Sequence, residues 1–334
     1  MFIVESYFTA ILFCIITMIC WGSWANTQKL AAGRWRYELF YWDYAIGILL
    51  FSLLAAFTLG SFGENGRSFL PDLMQASGAN IGSAFLGGIV FNLANILLTA
   101  AIAIAGMSVA FPVGIGIALV LGVVINYFGV EKGNPALLFS GVLLVTVAII
   151  LNAIAYRKAA AGGQKAGTKG IVLSVLAGIL MSFFYRFVAA SMDLDNFVHP
   201  QPLKMTPYTA FVIFAAGIMV SNILFNSIMM KKPLEGAPLS YRDYFKGGFS
   251  LHIIGVLGGA IWGLGNLFNL IAAGKAGPAI SYGLGQGATL VAAIWGVVVW
   301  KEFKNTGNKV TGLLTGMFIC FLAGLGLIIL SGGS

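Results

Sequence analysis

The chain has 334 residues, of which 59% are apolar and only 9% are charged, and its mean hydropathy is +0.93. With this composition, a water-soluble globule of 334 residues would have too few polar side chains to cover its surface. The composition therefore excludes a soluble globule and indicates that the protein lies in a lipid bilayer. The net charge of +8 does not indicate a nucleic-acid partner, because the basic residues are spread over short loops.

Ten apolar runs are long enough to cross a bilayer, which takes about 20 residues of helix. The third and fourth runs are separated only around Gly106, and the eighth and ninth only around Gly277, which predicts tight helical hairpins. We therefore predict an all-α integral membrane protein of ten transmembrane helices. The predicted spans are about 7–30, 40–60, 80–105, 108–129, 136–156, 170–192, 207–230, 249–273, 278–300 and 310–331.

Lysine and arginine are distributed unevenly between the loops. The odd-numbered loops carry fourteen of these residues and the even-numbered loops carry four, the remaining one being Arg186 inside the sixth span. Because cytoplasmic loops are enriched in basic residues, the odd-numbered loops are predicted to be cytoplasmic. Both termini are then expected on the extracytoplasmic side.

The sequence also repeats itself at a shift of 171 residues. The matches include asparagine and paired glycine, which apolar segments rarely share by chance. Each half, 1–156 and 157–334, holds five predicted spans, so the second half enters the membrane from the opposite side. Inverted repeats of this kind are common in secondary transporters that work by alternating access. Among the matching positions are Gly87 and Gly258, Gly88 and Gly259, Asn95 and Asn266, and Gly114 and Gly285.

Polar and aromatic side chains within the spans are candidates for binding a solute, because hydrocarbon offers them no hydrogen-bond partner. Carboxamides suit a neutral solute that carries amide, ureide or hydroxyl groups, although they also join helices. Mid-span tryptophans suit stacking on the solute, although tryptophan also anchors helices at membrane interfaces. The Arg186 side chain either extends to the outer membrane–water interface or donates hydrogen bonds to a solute in a cavity. The candidate solute-binding residues are Trp21, Trp24, Asn92, Asn95, Tyr185, Arg186, Trp262, Asn266 and Gln286.

Two carboxylates are candidates for proton coupling. Asp43 lies near the cytoplasmic start of the second span and Glu5 near the outer start of the first, where a purely interfacial role is the alternative. No acidic residue lies at the centre of a span and no basic cluster faces the core, which favours a neutral solute. His199 and His252 lack metal-ligand spacing, and no phosphate-binding loop occurs. We therefore expect no enzyme activity, no metal and no cofactor.

Several stretches along the whole chain form a recognisable pattern: Phe2 to Ser6, Trp42-Asp43-Tyr44, Phe57 to Gly60, Gly87 to Asn95, Gly106 to Val109 and Trp295 to Phe303. These stretches resemble the ureide permease family of the drug/metabolite transporter (DMT) superfamily. The resemblance implies ten helices around a central cavity lined mainly by spans one, three, four, six, eight and nine. It also implies proton-coupled import of allantoin and related oxo-heterocycles such as uracil and xanthine.

The chain departs from plant members of that family in its short central segment, about a dozen residues around Ala159 to Lys169. A short segment is typical of a bacterial member, which places the protein in the cytoplasmic (inner) membrane. Bacterial relatives in the superfamily include sugar permeases, so a permease for ribose, glucose or rhamnose is the alternative. The expected partners are a small neutral solute, a proton and membrane lipid, with no nucleic acid, and the expected assembly is a monomer or a homodimer.

Overall fold

The computed structural model describes residues 1–31, 33–105, 107–159, 168–233, 236–301, 303–304 and 306–333, and these residues form a bundle of helices. The junction at Gly106 and most of the central segment lie outside this part of the chain. The helices are α1 (Tyr7–Ser23), α2 (Ala25–Ala31), α3 (Tyr37–Phe57), α4 (Phe69–Gln75), α5 (Gly78–Ala105), α6 (Met107–Gly129), α7 (Pro135–Ala159), α8 (Thr168–Ser191), α9 (Pro207–Lys231), α10 (Tyr241–Phe245), α11 (Phe249–Ala276), α12 (Pro278–Gly285), α13 (Ala288–Ile294) and α14 (Asn308–Ser331).

Nine helical segments in the described residues are long and apolar enough to cross a membrane. They correspond to nine of the ten predicted spans, with α1 and α2 forming one segment and α12, α13 and a π-helical turn at Trp295–Val299 forming another. The remaining predicted span falls on α6, whose fully described apolar part, Val113–Gly129, is shorter than the others. The chain is an integral membrane protein.

The two termini and the even-numbered loops lie together at one end of the bundle, which we call the terminal end. Hydrogen bonds join these segments to one another across large distances in sequence. They run from Phe2 N to Leu59 O (2.7 Å), Gly66 N to Val198 O (3.1 Å), Asn134 N to Ser331 O (2.6 Å) and Lys132 Nζ to Gly274 O (2.9 Å).

The described parts of the first, seventh and ninth loops, which are rich in lysine and arginine, lie at the opposite end, which we call the basic end. Side-chain contacts connect these loops of the two halves of the chain. Arg36 donates from Nη1 to the carbonyl oxygen of Ala237 at 2.6 Å, and the Lys29 ammonium lies 4.2 Å from the ring centre of Trp300. Contacts between loops of the two halves thus hold the basic end together.

Two pairs of helices approach each other closely at glycine. A Cβ on Gly88 of α5 would collide with the carbonyl oxygen of Phe214 on α9, and a Cβ on Gly259 of α11 would collide with that of Tyr44 on α3. Such backbone contact replaces the hydrophobic effect as the source of helix association in lipid. The partner helices carry glycine at the same crossings. A Cβ on Gly217 of α9 would collide with the carbonyl oxygen of Phe85 on α5, and a Cβ on Gly47 of α3 would collide with that of Val256 on α11.

We expect Gly88→Ala and Gly259→Ala each to destabilise the protein by about 1–3 kcal/mol, because a methyl group has no space between the paired backbones. Thermal denaturation in detergent checks this as a lower Tm. Gly312→Ala on α14 is the matched control, since nothing lies within 4 Å of the position its Cβ would take. Alanine favours helix, so the control should match or exceed the parent Tm. An unchanged Tm in all three variants contradicts the predicted contacts.

Candidate functional site

A cavity of about 90 Å³ lies inside the bundle, bounded by α1, α5, α6, α8, α11 and the α12–α13 segment. A cavity of this size has room for several water-sized groups. None of its lining side chains is ionisable. The lining residues are Trp21, Trp24, Phe91, Asn95, Leu98, Ile115, Met181, Phe184, Trp262, Gln286, Ala288 and Thr289.

One of the helices that border the cavity tightens beside it, where α12 passes into α13 at Gln286 and Gly287. Gly287 N donates to the carbonyl oxygen of Leu284 at 2.9 Å, and Leu290 N donates to that of Gly287 at 2.9 Å. Bonds over three residues are those of a 3₁₀ turn. Gln286 and Gly287 keep right-handed helical dihedral angles, so the helix continues through this turn.

Stacked aromatic rings form one wall of the cavity. The Trp21 and Trp262 rings lie 5.8 Å apart and nearly parallel, at 8°. Phe91 packs against Trp262 at 4.5 Å, and Trp24 packs against Tyr44 at 4.6 Å. Planar faces held in this way offer a flat surface to a planar solute.

Two carboxamides supply polar groups to the cavity. Asn95 donates from Nδ2 to the hydroxyl of Tyr41 at 3.1 Å, which leaves its carbonyl oxygen without a hydrogen bond among the described residues. The side chain of Gln286, at the turn between α12 and α13, makes no hydrogen bond to any described residue. Both side chains are therefore free to exchange hydrogen bonds with a solute.

Asn92, one turn away from Asn95, lies outside the cavity and joins helices instead. Its Oδ1 accepts a hydrogen bond from the hydroxyl of Tyr41 on α3 at 2.9 Å, and its Nδ2 donates to Ser221 on α9 at 3.0 Å. Asn92, Asn95, Tyr41 and Ser221 thus form one buried chain of hydrogen bonds.

The other three predicted solute-binding residues also lie outside the cavity lining. Asn266 is buried and its Oδ1 has no partner among the described residues. Tyr185 is buried and donates to the carbonyl oxygen of Asn269 at 3.2 Å. Arg186 is half-buried and lies against Gly129, close to the terminal end. The cavity thus brings together five of the nine predicted residues: Trp21, Trp24, Asn95, Trp262 and Gln286.

The sequence analysis did not single out the apolar residues that complete the cavity, such as Phe91, Met181 and Phe184. In sequence they resemble every other apolar residue of a span, so nothing distinguishes them. Thr289 was recognisable by its spacing of three residues from Gln286, and its hydroxyl donates to the carbonyl oxygen of Gln286 at 3.1 Å.

Asp43 is buried at the basic end within a cluster of three side chains. Its Oδ1 accepts a hydrogen bond from the hydroxyl of Tyr244 at 2.6 Å and lies 2.8 Å from His252 Nδ1. Its Oδ2 accepts a hydrogen bond from Trp35 Nε1 at 3.2 Å. Burial, together with the hydrogen bond to Asp43, raises the pKa of Tyr244, so its hydroxyl stays protonated and keeps donating.

Glu5 differs from Asp43 in being exposed. It lies in a shallow depression of about 50 Å³ at the terminal end, which Asp195 and Lys275 also line. Within the described residues, no group of three or more histidine, cysteine or acidic side chains is placed to hold a metal ion.

A bundle of long apolar helices around an uncharged cavity of amides and indoles defines an integral membrane protein with an internal small-molecule site. The family model described as ureide permease matches residues 40–168 and 157–331. The chain therefore belongs to the ureide permease family, a family of permeases and not of enzymes, and the resemblance seen in the sequence is confirmed. As in other permeases, its partner is a small-molecule solute.

The chain is similar to plant relatives over its whole length. It is 26% identical to Ureide permease 2 and 25% identical to Ureide permease 1 of Arabidopsis thaliana, covering 100% of this chain and 99% of each relative. A protein of Streptococcus pyogenes serotype M6 named for sugar uptake is 27% identical over 60% of this chain and 69% of its own length. A solved crystal structure with 16% identity shares the fold, at a TM-score of 0.60 over 96% of both chains.

We expect Asn92→Ala to lower stability by about 1 kcal/mol, because it removes two buried hydrogen bonds between helices. Asn95→Ala should cost less, since Asn95 makes only one such bond. Thermal denaturation in detergent measures both. In a Tyr41→Phe background the cost of Asn92→Ala should shrink, because the bond to the Tyr41 hydroxyl is already gone. Equal losses in both backgrounds would contradict the hydrogen-bond chain.

Proposed function

We propose that this protein is a secondary active transporter that imports a small neutral ureide or oxo-N-heterocycle, such as allantoin, uracil or xanthine. The observation that carries the proposal is the uncharged cavity, in which the carboxamides of Asn95 and Gln286 face a wall of stacked indoles. Carboxamides pair with the N–H and C=O groups of such compounds, and indole faces stack on flat rings. The printed names of the plant relatives support the same solute class.

We also propose ten transmembrane helices in two inverted halves of five, 1–156 and 157–334, as in the DMT superfamily, with α6 as the fourth span. The glycine contacts support this proposal. Gly88 and Gly259 are 171 residues apart in the chain, and their contact partners Phe214 and Tyr44 are 170 apart. Equivalent positions of the two halves therefore make equivalent contacts, as alternating access between repeats requires.

The proposed location is the cytoplasmic membrane of a bacterium, with both termini on the extracytoplasmic side. The excess of lysine and arginine in the loops of the basic end supports a cytoplasmic position for that end. The short central segment supports a bacterial type of permease. We further propose that the protein assembles as a monomer or a homodimer.

Asp43 is our preferred proton-coupling residue, with Glu5 as the second candidate. Asp43 is buried and faces His252, a second group able to hold a proton, whereas Glu5 is exposed. An intramembrane carboxylate costs free energy unless it has a partner, and such groups commonly carry protons in transporters. Asp43 also precedes Tyr44, whose ring packs against Trp24 and Trp262 of the cavity.

A monosaccharide permease for ribose, glucose or rhamnose is the second candidate function. The similarity to the Streptococcus pyogenes protein named for sugar uptake favours it, although that similarity covers only 60% of the chain. Amides and tryptophan rings also bind sugars, so the lining residues are compatible with both solute classes.

Proteoliposomes that contain the purified protein should take up radiolabelled allantoin, and unlabelled uracil should compete while ribose and glucose should not. Asn95→Ala and Gln286→Ala should each lower uptake about tenfold or more, through the loss of hydrogen bonds to the solute. Asn152→Ala on α7, outside the cavity lining, serves as the control and should transport normally. If only the sugars displace the labelled solute, the protein is a monosaccharide permease and the ureide proposal is wrong.

An inside-alkaline pH gradient should drive accumulation of the solute above its external concentration. Asp43→Asn should abolish this accumulation while exchange of internal for external solute continues, because exchange needs no net proton movement. Glu5→Gln should behave as the parent protein. If Asp43→Asn accumulates normally and Glu5→Gln does not, the coupling role belongs to Glu5; if both accumulate normally, the carboxylate proposal fails.

A further inference from the structure

The short helix α10 lies between two spans, at the basic end of the bundle. It follows α9, which ends at Lys231, and precedes α11, which begins at Phe249; both are long and apolar enough to cross the membrane. Leu239 N donates to the carbonyl oxygen of Met230 at 2.8 Å, which returns the chain to the end of α9 just before α10 begins. The helix therefore lies at the level of the membrane surface.

The inner side of α10 is attached to the bundle through Tyr244. Its hydroxyl donates to Asp43 Oδ1 on α3 at 2.6 Å, and its ring packs against His252 of α11 at 4.7 Å. At the start of the helix, the Ser240 hydroxyl and backbone N–H donate to Asp243 Oδ2 at 2.7 Å and 2.9 Å, as in a capping box. These contacts determine which side of α10 faces away from the bundle.

The outer side of α10 presents aromatic and basic side chains. At about 100° per residue, Phe245 lies about 40° around the helix from Tyr241, and Arg242 and Lys246 follow at about 100° and 140°. Tyr241 is 46% exposed and Phe245 is 78% exposed, and both basic side chains are also exposed. An aromatic edge thus runs beside a basic edge.

The neighbouring end of α9 adds two lysines to this surface. The Tyr241 hydroxyl contacts the Ser227 hydroxyl on α9, and Lys231 lies one turn further along that helix. Lys231 and the following Lys232 are both exposed. We call these exposed side chains the α10 surface: Tyr241, Arg242, Phe245, Lys246, Lys231 and Lys232.

The α10 surface has an excess of positive charge. Residues 231–233 and 236–247 contain four basic side chains and one acidic side chain, Asp243, which is bonded to Ser240 and lies 3.5 Å from Lys246 Nζ. Exposed rings beside basic side chains are typical of segments that lie in a membrane interface. The rings bury themselves between headgroups and acyl chains, and the cations attract anionic lipids.

We propose that the α10 surface binds the headgroups of anionic phospholipids in the leaflet at the basic end. Its two rings enter the boundary between headgroups and acyl chains, and its four basic side chains contact the phosphate groups. Phosphatidylglycerol carries a net negative charge, whereas the choline of phosphatidylcholine neutralises the phosphate. The surface should therefore distinguish these two lipids by charge.

Thermal denaturation of the purified protein in detergent tests the proposal, with phosphatidylglycerol or phosphatidylcholine of the same acyl chains titrated into the micelles. A lipid that binds the folded protein raises its Tm according to its concentration and affinity. We expect phosphatidylglycerol to bind about tenfold or more tightly than phosphatidylcholine. Added salt should reduce this preference, because it screens exposed charges.

The double variant Arg242→Gln, Lys246→Gln removes two positive charges from the α10 surface. It should bind phosphatidylglycerol about tenfold or more weakly than the parent protein, at about fivefold for each basic residue, and bind phosphatidylcholine equally well. The matched control, Lys304→Gln with Lys309→Gln, removes the same charge from exposed positions of the ninth loop and should keep the preference. Phe245→Ser should weaken both lipids equally, because the ring contact does not depend on the headgroup.

Two results would overturn the proposal. Equal stabilisation of the parent protein by the two lipids shows that the surface does not select anionic headgroups. An equal loss of preference in both double variants assigns the preference to the charge of the whole basic end and not to α10. Since the comparison of lipids on the parent protein needs neither a variant nor transport, it decides the question independently of the function proposed above.

Discussion

Hydrocarbon has no hydrogen-bond donors or acceptors, and this constraint governs where the polar side chains of the described spans lie. An amide within a span must bind another part of the protein, water or a solute. Asn92 and Asn95 show two solutions on one helix. Asn92 uses its oxygen and its nitrogen to join α3 and α9, whereas Asn95 uses only its nitrogen and keeps its oxygen for the cavity.

The same constraint explains why the cavity is uncharged. A charged group would need a partner that the cavity lining does not provide, whereas carboxamides and indole N–H groups remain neutral at every physiological pH. The turn at Gln286 and Gly287 lies between α12 and α13 at the cavity border, and its backbone N–H groups donate to carbonyl oxygens of α12. The Gln286 side chain therefore enters the cavity lining from a backbone whose own hydrogen bonds are satisfied.

Nine of the ten predicted spans correspond to long apolar helices in the described residues, because hydrophobic length is a property of each segment alone. Five of the twelve cavity-lining residues are among the predicted solute-binding residues, and their side chains are unusual in a span: Trp21, Trp24, Asn95, Trp262 and Gln286. It could not separate Asn95 from Asn92, because the difference depends on Tyr41 and Ser221, which belong to other helices. His252 and Tyr244 could not be linked to Asp43 either, since about 200 residues separate them in the chain.

Asp43 and Tyr44 are consecutive on α3 but face different surroundings, the carboxylate in the His252 cluster and the ring against Trp24 and Trp262. Two consecutive residues of a helix move together, so a rotation of α3 that alters the contact between Asp43 and His252 also alters the contacts of the Tyr44 ring. By thermodynamic linkage, if proton binding at Asp43 tightens solute binding, then the bound solute raises the affinity for the proton by the same factor. The two sites would then be coupled through one turn of one helix, and the coupling would be the same whichever ligand binds first.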